Sequence, residues 1–352
     1  MADWTVITVA VAANLVVLVS LAVVDSRMLP AAPWLRSGIL SVAAALTGIA
    51  VWLLLAPIFA TSLTGALYLP VAALGGVAAF LATLAVRGSG AGPAVTVVFG
   101  LLWSALVFVP AAVFSFSPLP GPFGVSPVDH GGSLAVNVAG GAAALGVLLS
   151  GGAQARRPRF ATVRLSSGVV AAVALSIGWI GWLASAELAI DDVTPAIIAN
   201  GVIGALGGAA GWLVVQRIRH QLTTLPAVAA GLISGLVSIT AGAPLFTPVS
   251  AAAAGILSGA AACAFTLSRV AASRRQQWFI VGSHLVAGAT GLFLLGLLAS
   301  GVGFVFTGQL LLIQNEVFGA ALVAVYSTAV SFLLWSVLKR VVGRSVLRGV
   351  EA

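Results

Sequence analysis

Charge is what this chain has least of. Of its 352 residues only 7% are Asp, Glu, Lys or Arg, against roughly 25% in a soluble domain. No soluble core could hide an apolar content of 61%, so lipid is the expected solvent. Cysteine is nearly absent too. The single one, Cys263, sits inside an apolar run, which excludes an intramolecular disulfide and any cysteine-based zinc or iron–sulfur centre. There is no Walker-type phosphate loop and no soluble nucleotide domain, so nothing supports ATP-driven pumping. No span carries an Arg ladder of the voltage-sensing kind, no TVGYG-like potassium filter occurs, and the three histidines offer no pair for haem. No nucleophile–base–orienter set is visible, so the chain does not read as an enzyme, and no cofactor is expected. No basic segment precedes the first apolar run and Asp3 is acidic, so no cleavable signal peptide is expected.

What is present is length and apolarity. The mean hydropathy is +1.17, and the 41 glycines suit close helix–helix approach in lipid. Apolar runs of about 20 residues, enough to cross a bilayer, fall near 5–24, 37–57, 63–86, 93–116, 132–152, 162–183, 194–216, 224–243, 248–268, 278–300 and 311–338. The reading is a single all-α transmembrane domain of about eleven helices with a short tail over 339–352.

The basic residues give that count its support. Arg27 and Arg36 follow the first run, Arg87 the third, and Arg156, Arg157, Arg159 and Arg164 the fifth. Arg217 and Arg219 follow the seventh, Arg269, Arg274 and Arg275 the ninth, and Lys339, Arg340, Arg344 and Arg348 the last. All 16 Lys and Arg residues therefore fall on one side if the spans number eleven. By the positive-inside rule that side is cytoplasmic, with the N-terminus outside and the C-terminus inside. The net charge of +8 is thus a topology signal and does not point to nucleic acid. The other side carries Asp3, Asp129, Glu187, Asp191, Asp192 and Glu316. Those acids read either as a cation-concentrating vestibule or as ordinary outward-facing acids.

Few polar groups interrupt the spans. His284 lies in Phe279-Ile280-Val281-Gly282-Ser283-His284-Leu285-Val286-Ala287-Gly288. An ionisable group there faces protein or a pore, and a neutral imidazole both donates and accepts hydrogen bonds; the alternative is a histidine satisfied by a neighbouring carbonyl. Asn137 reads as a pore group or as interhelical glue. Asp129 precedes the fifth span and suits an N-terminal helix cap, and His130 reads as an exposed loop residue. The Gly178-Trp179-Ile180-Gly181-Trp182 run reads as an interface belt or as an aromatic cover that attracts a cation.

At these residues the chain resembles the ammonium transporter (Amt/Rh) superfamily. Ile177 to Trp182 looks like the family's IGWFGFNAGS segment and runs on without a gap to Asn200, opposite the asparagine of FVNT. Val281 to Gly288 is similar to FGVHGVGG, Asp129 to Gly141 to LDFAGGTVVHINAG, and Gly231 to Thr240 to GAVAGLVAIT. The resemblance implies an inverted repeat of five and five spans with an oblique final helix, a homotrimer in the inner (plasma) membrane surrounded by lipid, and ammonium or ammonia as substrate. It implies recruitment at an outer site, deprotonation, and passage along a narrow hydrophobic pore lined by two histidines.

Residue by residue, His284 matches the second pore histidine. The first is replaced: counting from Asp129 without a gap puts Asn137 there, and aligning the paired glycines puts Val136 there. The ungapped count is the simpler. Trp182 matches the gate phenylalanine of the sixth span, while the other gate position falls at Ala72 or Ala73. The outer serine matches Ala186, and the outer tryptophan falls near Phe116. Asp129, Phe116 and Trp179 form the implied outer site; His284, Asn137, Val136 and Trp182 the implied pore. The readings are a divergent ammonium or ammonia conductor, a non-transporting sensor or assembly partner on the same scaffold, or a pore for another small neutral solute.

Overall fold

The computed structural model describes residues 4–28, 34–89, 91–117, 120–151, 165–271 and 276–347. Arg156, Arg157, Arg159, Arg164, Arg274, Arg275, Arg348 and Asp3 lie outside them. Among the described residues the regular structure is helical throughout, as a chain in lipid requires, because a helix satisfies its own backbone. Its helices are α1 (Trp4–Met28), α2 (Trp34–Phe59), α3 (Tyr68–Arg87), α4 (Pro93–Phe116), α5 (Ser133–Leu149), α6 (Leu165–Ser185), α7 (Thr194–Ile218), α8 (Leu225–Ile239), α9 (Pro248–Thr266), α10 (Gln277–Leu298) and α11 (Leu311–Leu347).

Eight of these are long and apolar enough to cross a membrane. Three apolar helices are shorter, over Ser133–Leu149, Val169–Ser185 and Leu225–Ile239. The early end of α8, at Ile239 where the apolar run continues to 243, has a visible cause. There the chain turns into a loop that binds the loop before α5: His130 N–H donates to Ala241 O (2.9 Å) and Gly131 N–H to Thr240 O (3.0 Å). Asn200 on α7 fixes the loop after α8 by donating from Nδ2 to Ala243 O (2.9 Å) and Phe246 O (2.7 Å). Such non-helical backbone is tolerated in an apolar bundle only where protein groups satisfy it.

α3 is buried along almost its whole length and forms the centre, while α11 is mostly exposed at the periphery. The exposed side chains of α1, α2, α4 and α11 are largely Val, Leu, Ile and Phe, the surface that faces lipid. Small residues set the helix spacing. A Cβ on Gly259 of α9 would lie 2.1 Å from Gly208 O of α7, and one on Gly141 of α5 would lie 2.4 Å from Leu285 N of α10. Those distances leave room for hydrogen alone, so glycine lets the backbones touch and lets dispersion forces act where no hydrophobic effect distinguishes helix from lipid.

Three π turns interrupt the helices: Ser104–Phe108 in α4, Ser133–Val138 at the start of α5, and Val281–Val286 in α10. A π turn widens the helix and loosens its hydrogen-bond ladder, and such turns concentrate at functional sites. α11 supplies partners to two of them. Tyr326 donates its hydroxyl to Leu106 O (2.7 Å), and Ser327 donates to Ala139 O (2.7 Å). At 37 residues, α11 is about 55 Å long, well beyond a hydrocarbon core of about 30 Å, which fits an oblique course.

Candidate functional site: a small cavity under two tryptophans

The site is built where the 120–132 loop meets α5. Asp129 is 6% exposed and caps α5 with both oxygens. Oδ1 accepts from Ser133 N–H (2.6 Å) and Oδ2 from Leu134 N–H (2.8 Å). Gly132 makes the corner with φ +77°, a conformation open to glycine without steric cost. Burial disfavours the charged form and pushes the Asp129 carboxyl up to about 6, and the hydrogen bonds from Leu134 and Ser133 oppose that rise.

Glu316, in the second turn of α11, is wholly buried. Its Oε1 accepts from Val128 N–H (2.7 Å), which ties the loop to α11, and its Oε2 has no partner. His130, expected as an exposed loop residue, is half-buried, and its Nε2 is 2.8 Å from Leu183 O. Burial lowers its proton affinity. The outer acids therefore divide. Asp129 and Glu316 are buried structural acceptors, while Asp191 and Asp192 are exposed, so a vestibule would draw its charge from the latter pair and the partly exposed Glu187.

Below the loop lies a cavity of about 20 Å³, enough for one water-sized molecule. Trp179 and Trp182, one turn apart on α6, form part of its wall. Each indole is pinned by its ring N–H: Trp182 donates to Gly131 O (3.0 Å), and Trp179 to the Thr240 hydroxyl (3.0 Å). Thr240 in turn donates to Leu236 O (2.6 Å). Trp182 thus spans the gap between α6 and the loop and closes the cavity on that side.

Val136 and Asn137 both line the cavity, together with Asn14 of α1 and Leu74 and Val77 of α3. Asn137 is fully buried. Its Nδ2 makes one long contact to Ser133 Oγ (3.4 Å), and its Oδ1 has no partner.

His284 does not line this cavity. It occupies the π turn of α10 and is 3% exposed. The hydrogen bonds of Ser283 assign its tautomer. Ser283 Oγ spends its one proton on Phe279 O (2.8 Å), so the 2.9 Å contact between Oγ and His284 Nδ1 requires a proton on Nδ1. Nε2 is then a bare acceptor, and it is buried without a partner. α5 and α10 meet beside it: a Cβ on Gly141 would collide with the Leu285 backbone, and one on Gly288 would lie 3.2 Å from Val138 and 3.6 Å from Asn137. Asn137 therefore faces α10 about one turn beyond His284.

The structure brings Val136, Asn137, Trp179 and Trp182 to one cavity and sets His284 on the adjoining helix. It separates the expected outer trio. Phe116 is half-buried with its ring tip against Gly132, Asp129 is a buried cap, and Trp179 belongs to the cavity wall. Asn14 and Thr240 carried a weak signal, a polar residue within an apolar run, and sequence reasoning passed over their part in the cavity. The register question also gains a datum. Val136 and His284 are each the fourth residue of their π turns, and Asn137 is the buried residue that follows Val136.

Comparison with known proteins gives the same frame. Residues 91–349 match the model of the Ammonium Transporter Family. An ammonium transporter of Mycobacterium bovis is 28% identical over 268 residues, which make up 70% of this chain and 56% of that protein. Ammonium transporter Amt2 of Methanocaldococcus jannaschii is 28% identical over 249 residues, 68% of this chain and 54% of its own. The chain thus spans little more than half the length of these curated relatives. Saccharomyces cerevisiae Mep2 superposes with a TM-score of 0.82 at 18% identity, over 98% of this chain and 88% of that one. A structure described as a Sensor Amt Protein does so with 0.82 at 16% identity, over 96% and 92%. These likenesses show the ammonium-transporter fold of a multi-pass membrane protein.

Proposed function

The chain belongs to the ammonium transporter family, and on that premise we propose that it carries ammonium nitrogen across a membrane as ammonia, through the cavity under Trp182 and past His284. One observation carries the reading: the buried interior holds two unpaired hydrogen-bond acceptors, Asn137 Oδ1 and His284 Nε2. An unpaired buried acceptor costs about 1–3 kcal/mol, which a small guest with N–H or O–H groups recovers.

A bare cation gains too little in such a place. An ammonium ion has four N–H donors, and desolvating it costs several kcal/mol unless every donor is met. The ion therefore leaves its proton on the outer side, and neutral ammonia passes. Trp182 sets the barrier at the top, where an indole must swing or slide to admit a guest. His284, protonated at Nδ1, offers Nε2 to an N–H of the guest without taking charge itself.

The arrangement in the membrane is part of the same reading. Eleven spans put Arg87, which ends α3, Arg217 of α7's last turn and Arg269 beyond α9 on the cytoplasmic side, with the N-terminus outside. A homotrimer in the plasma (inner) membrane follows from the family resemblance.

A second reading has its own observation. The side chain of Val136, at the turn position that His284 holds in α10, cannot hydrogen-bond at all, which suits a non-transporting partner or sensor on the same scaffold. Proteoliposomes separate the two. An ammonium pulse over a supported membrane reports current, and a pH dye inside vesicles reports ammonia arrival. Transport gives accelerated internal alkalinisation over empty liposomes; no acceleration and no current would leave the non-transporting reading.

A further inference from the structure

The cavity has a polar residue that the family resemblance does not supply. Asn14 lies mid-way along α1 and is 2% exposed, in a helix otherwise made almost wholly of aliphatic residues. One N–H of its amide is spent on Ala10 O (2.9 Å), one turn back on its own helix. Asn14 lines the cavity together with Asn137. Thr240 is already committed, donating to Leu236 O and accepting from Trp179. Among the lining side chains, the donors and acceptors left uncommitted are those of two carboxamides, one from α1 and one from α5.

We propose that Asn14 and Asn137 form a binding site for a single small neutral hydrogen-bond donor, ammonia or water. The volume, about 20 Å³, admits one such molecule and no hydrated ion. A carboxamide offers both an acceptor oxygen and N–H donors, so a guest with N–H or O–H groups and a lone pair is matched on both counts. Ammonium is not: it brings only donors, and the cavity supplies too few oxygens to meet four of them. No lining side chain can take up a proton near neutral pH, so the guest is neutral on arrival and leaves neutral. Asn14 is then a specificity-determining residue, selecting neutral donors by hydrogen bonding where the second pore histidine is missing. Only the flux measurement below rests on the transport reading; the occupancy of the site does not.

The test uses the full chain in lipid nanodiscs. A map at resolution sufficient for ordered solvent is expected to show one compact density between the Asn14 and Asn137 amides in the wild type, and none in Asn14→Leu, which keeps the side chain's shape. An empty wild-type cavity overturns the proposal without recourse to any variant, as does density that persists in Asn14→Leu. In proteoliposomes, Asn14→Leu is expected to slow internal alkalinisation after an ammonium pulse by about tenfold, the loss of one buried hydrogen bond. If osmotic shrinkage slows and alkalinisation does not, the guest is water. Density present in the wild type, with neither flux above empty liposomes, keeps the site and removes the transport reading.

Discussion

α5 and α10 both carry a π turn into the interior, yet the fourth residue of one turn is Val136 and of the other His284. Their approaches differ as well. α5 begins at a charged cap held by a loop, with Asp129 bonded to Ser133 and Leu134 and Glu316 bonded to Val128. α10 begins at an amide latch: Gln277, 2% exposed, donates to Ala85 O (2.9 Å) and Ser89 Oγ (3.0 Å) at the end of α3. The lesson is that backbone geometry and side-chain chemistry vary separately. The π turn places a side chain at the crossing of the two helices, and whether that side chain is aliphatic, amide or imidazole is left to the sequence. On the α5 side the hydrogen bonding has moved one residue, to Asn137.

The largest effect is expected from breaking the contact that the two helices share. Gly141→Val puts a Cβ 2.4 Å from Leu285 N with further methyls beyond it. The backbones must separate, and the expected outcome is loss of a monodisperse species in size-exclusion chromatography of the detergent-solubilised protein.

Next comes the chemistry of α10. His284→Ala removes the Nε2 acceptor, and ammonia flux is expected to fall about tenfold or more, the equivalent of 1–3 kcal/mol for one buried hydrogen bond. Unchanged flux and selectivity would make His284 a structural residue. The converse change, Val136→His, gives α5 an imidazole at the same turn position as His284. If the two turns differ chiefly in that side chain, the variant is expected to speed internal alkalinisation after an ammonium pulse.

The cap of α5 gives a smaller and pH-dependent effect. Asp129→Ala leaves two buried N–H groups unpaired, at about 1–3 kcal/mol, and should lower Tm in detergent. The wild type should also lose stability as pH rises through about 6. Its carboxyl holds a proton more tightly when folded than when unfolded, where the ordinary value is 3.8, so the folded form is favoured at low pH and that advantage is gone above the folded value. Asp129→Asn should flatten this slope in a Tm-against-pH series.

The smallest expected effect is at the loop tie. Glu316→Gln keeps an acceptor for Val128 N–H and should hold stability within about 1 kcal/mol of the wild type, while Glu316→Leu strips the acceptor and should lower Tm further. Equal Tm values for the two would show that the tie adds nothing to the α5 side.

Most of the helices were legible because lipid imposes one rule on every span: apolar residues for about 20 positions, with small or charged residues between. The runs near 93–116 and 194–216 coincide with α4 and α7 almost to the residue. The run near 224–243 does not, since α8 ends at Ile239 and hydropathy cannot see where a buried loop replaces the last helical turn. The same blindness hid Asn14. One asparagine in an aliphatic helix looks alike whether it bonds its own backbone or faces a cavity, and only the neighbouring helices decide.

By itself the sequence determined the solvent, the helical class, the charge asymmetry of the connections and the family, because those rest on composition and on motifs local in the chain. The tertiary structure alone decided that Glu316 is a buried acceptor for Val128, that Trp182 leans on Gly131, and that Asn14 and Asn137 share one small cavity. Each of those facts joins residues far apart in the chain, and their distances are set by how closely glycine-faced helices can approach.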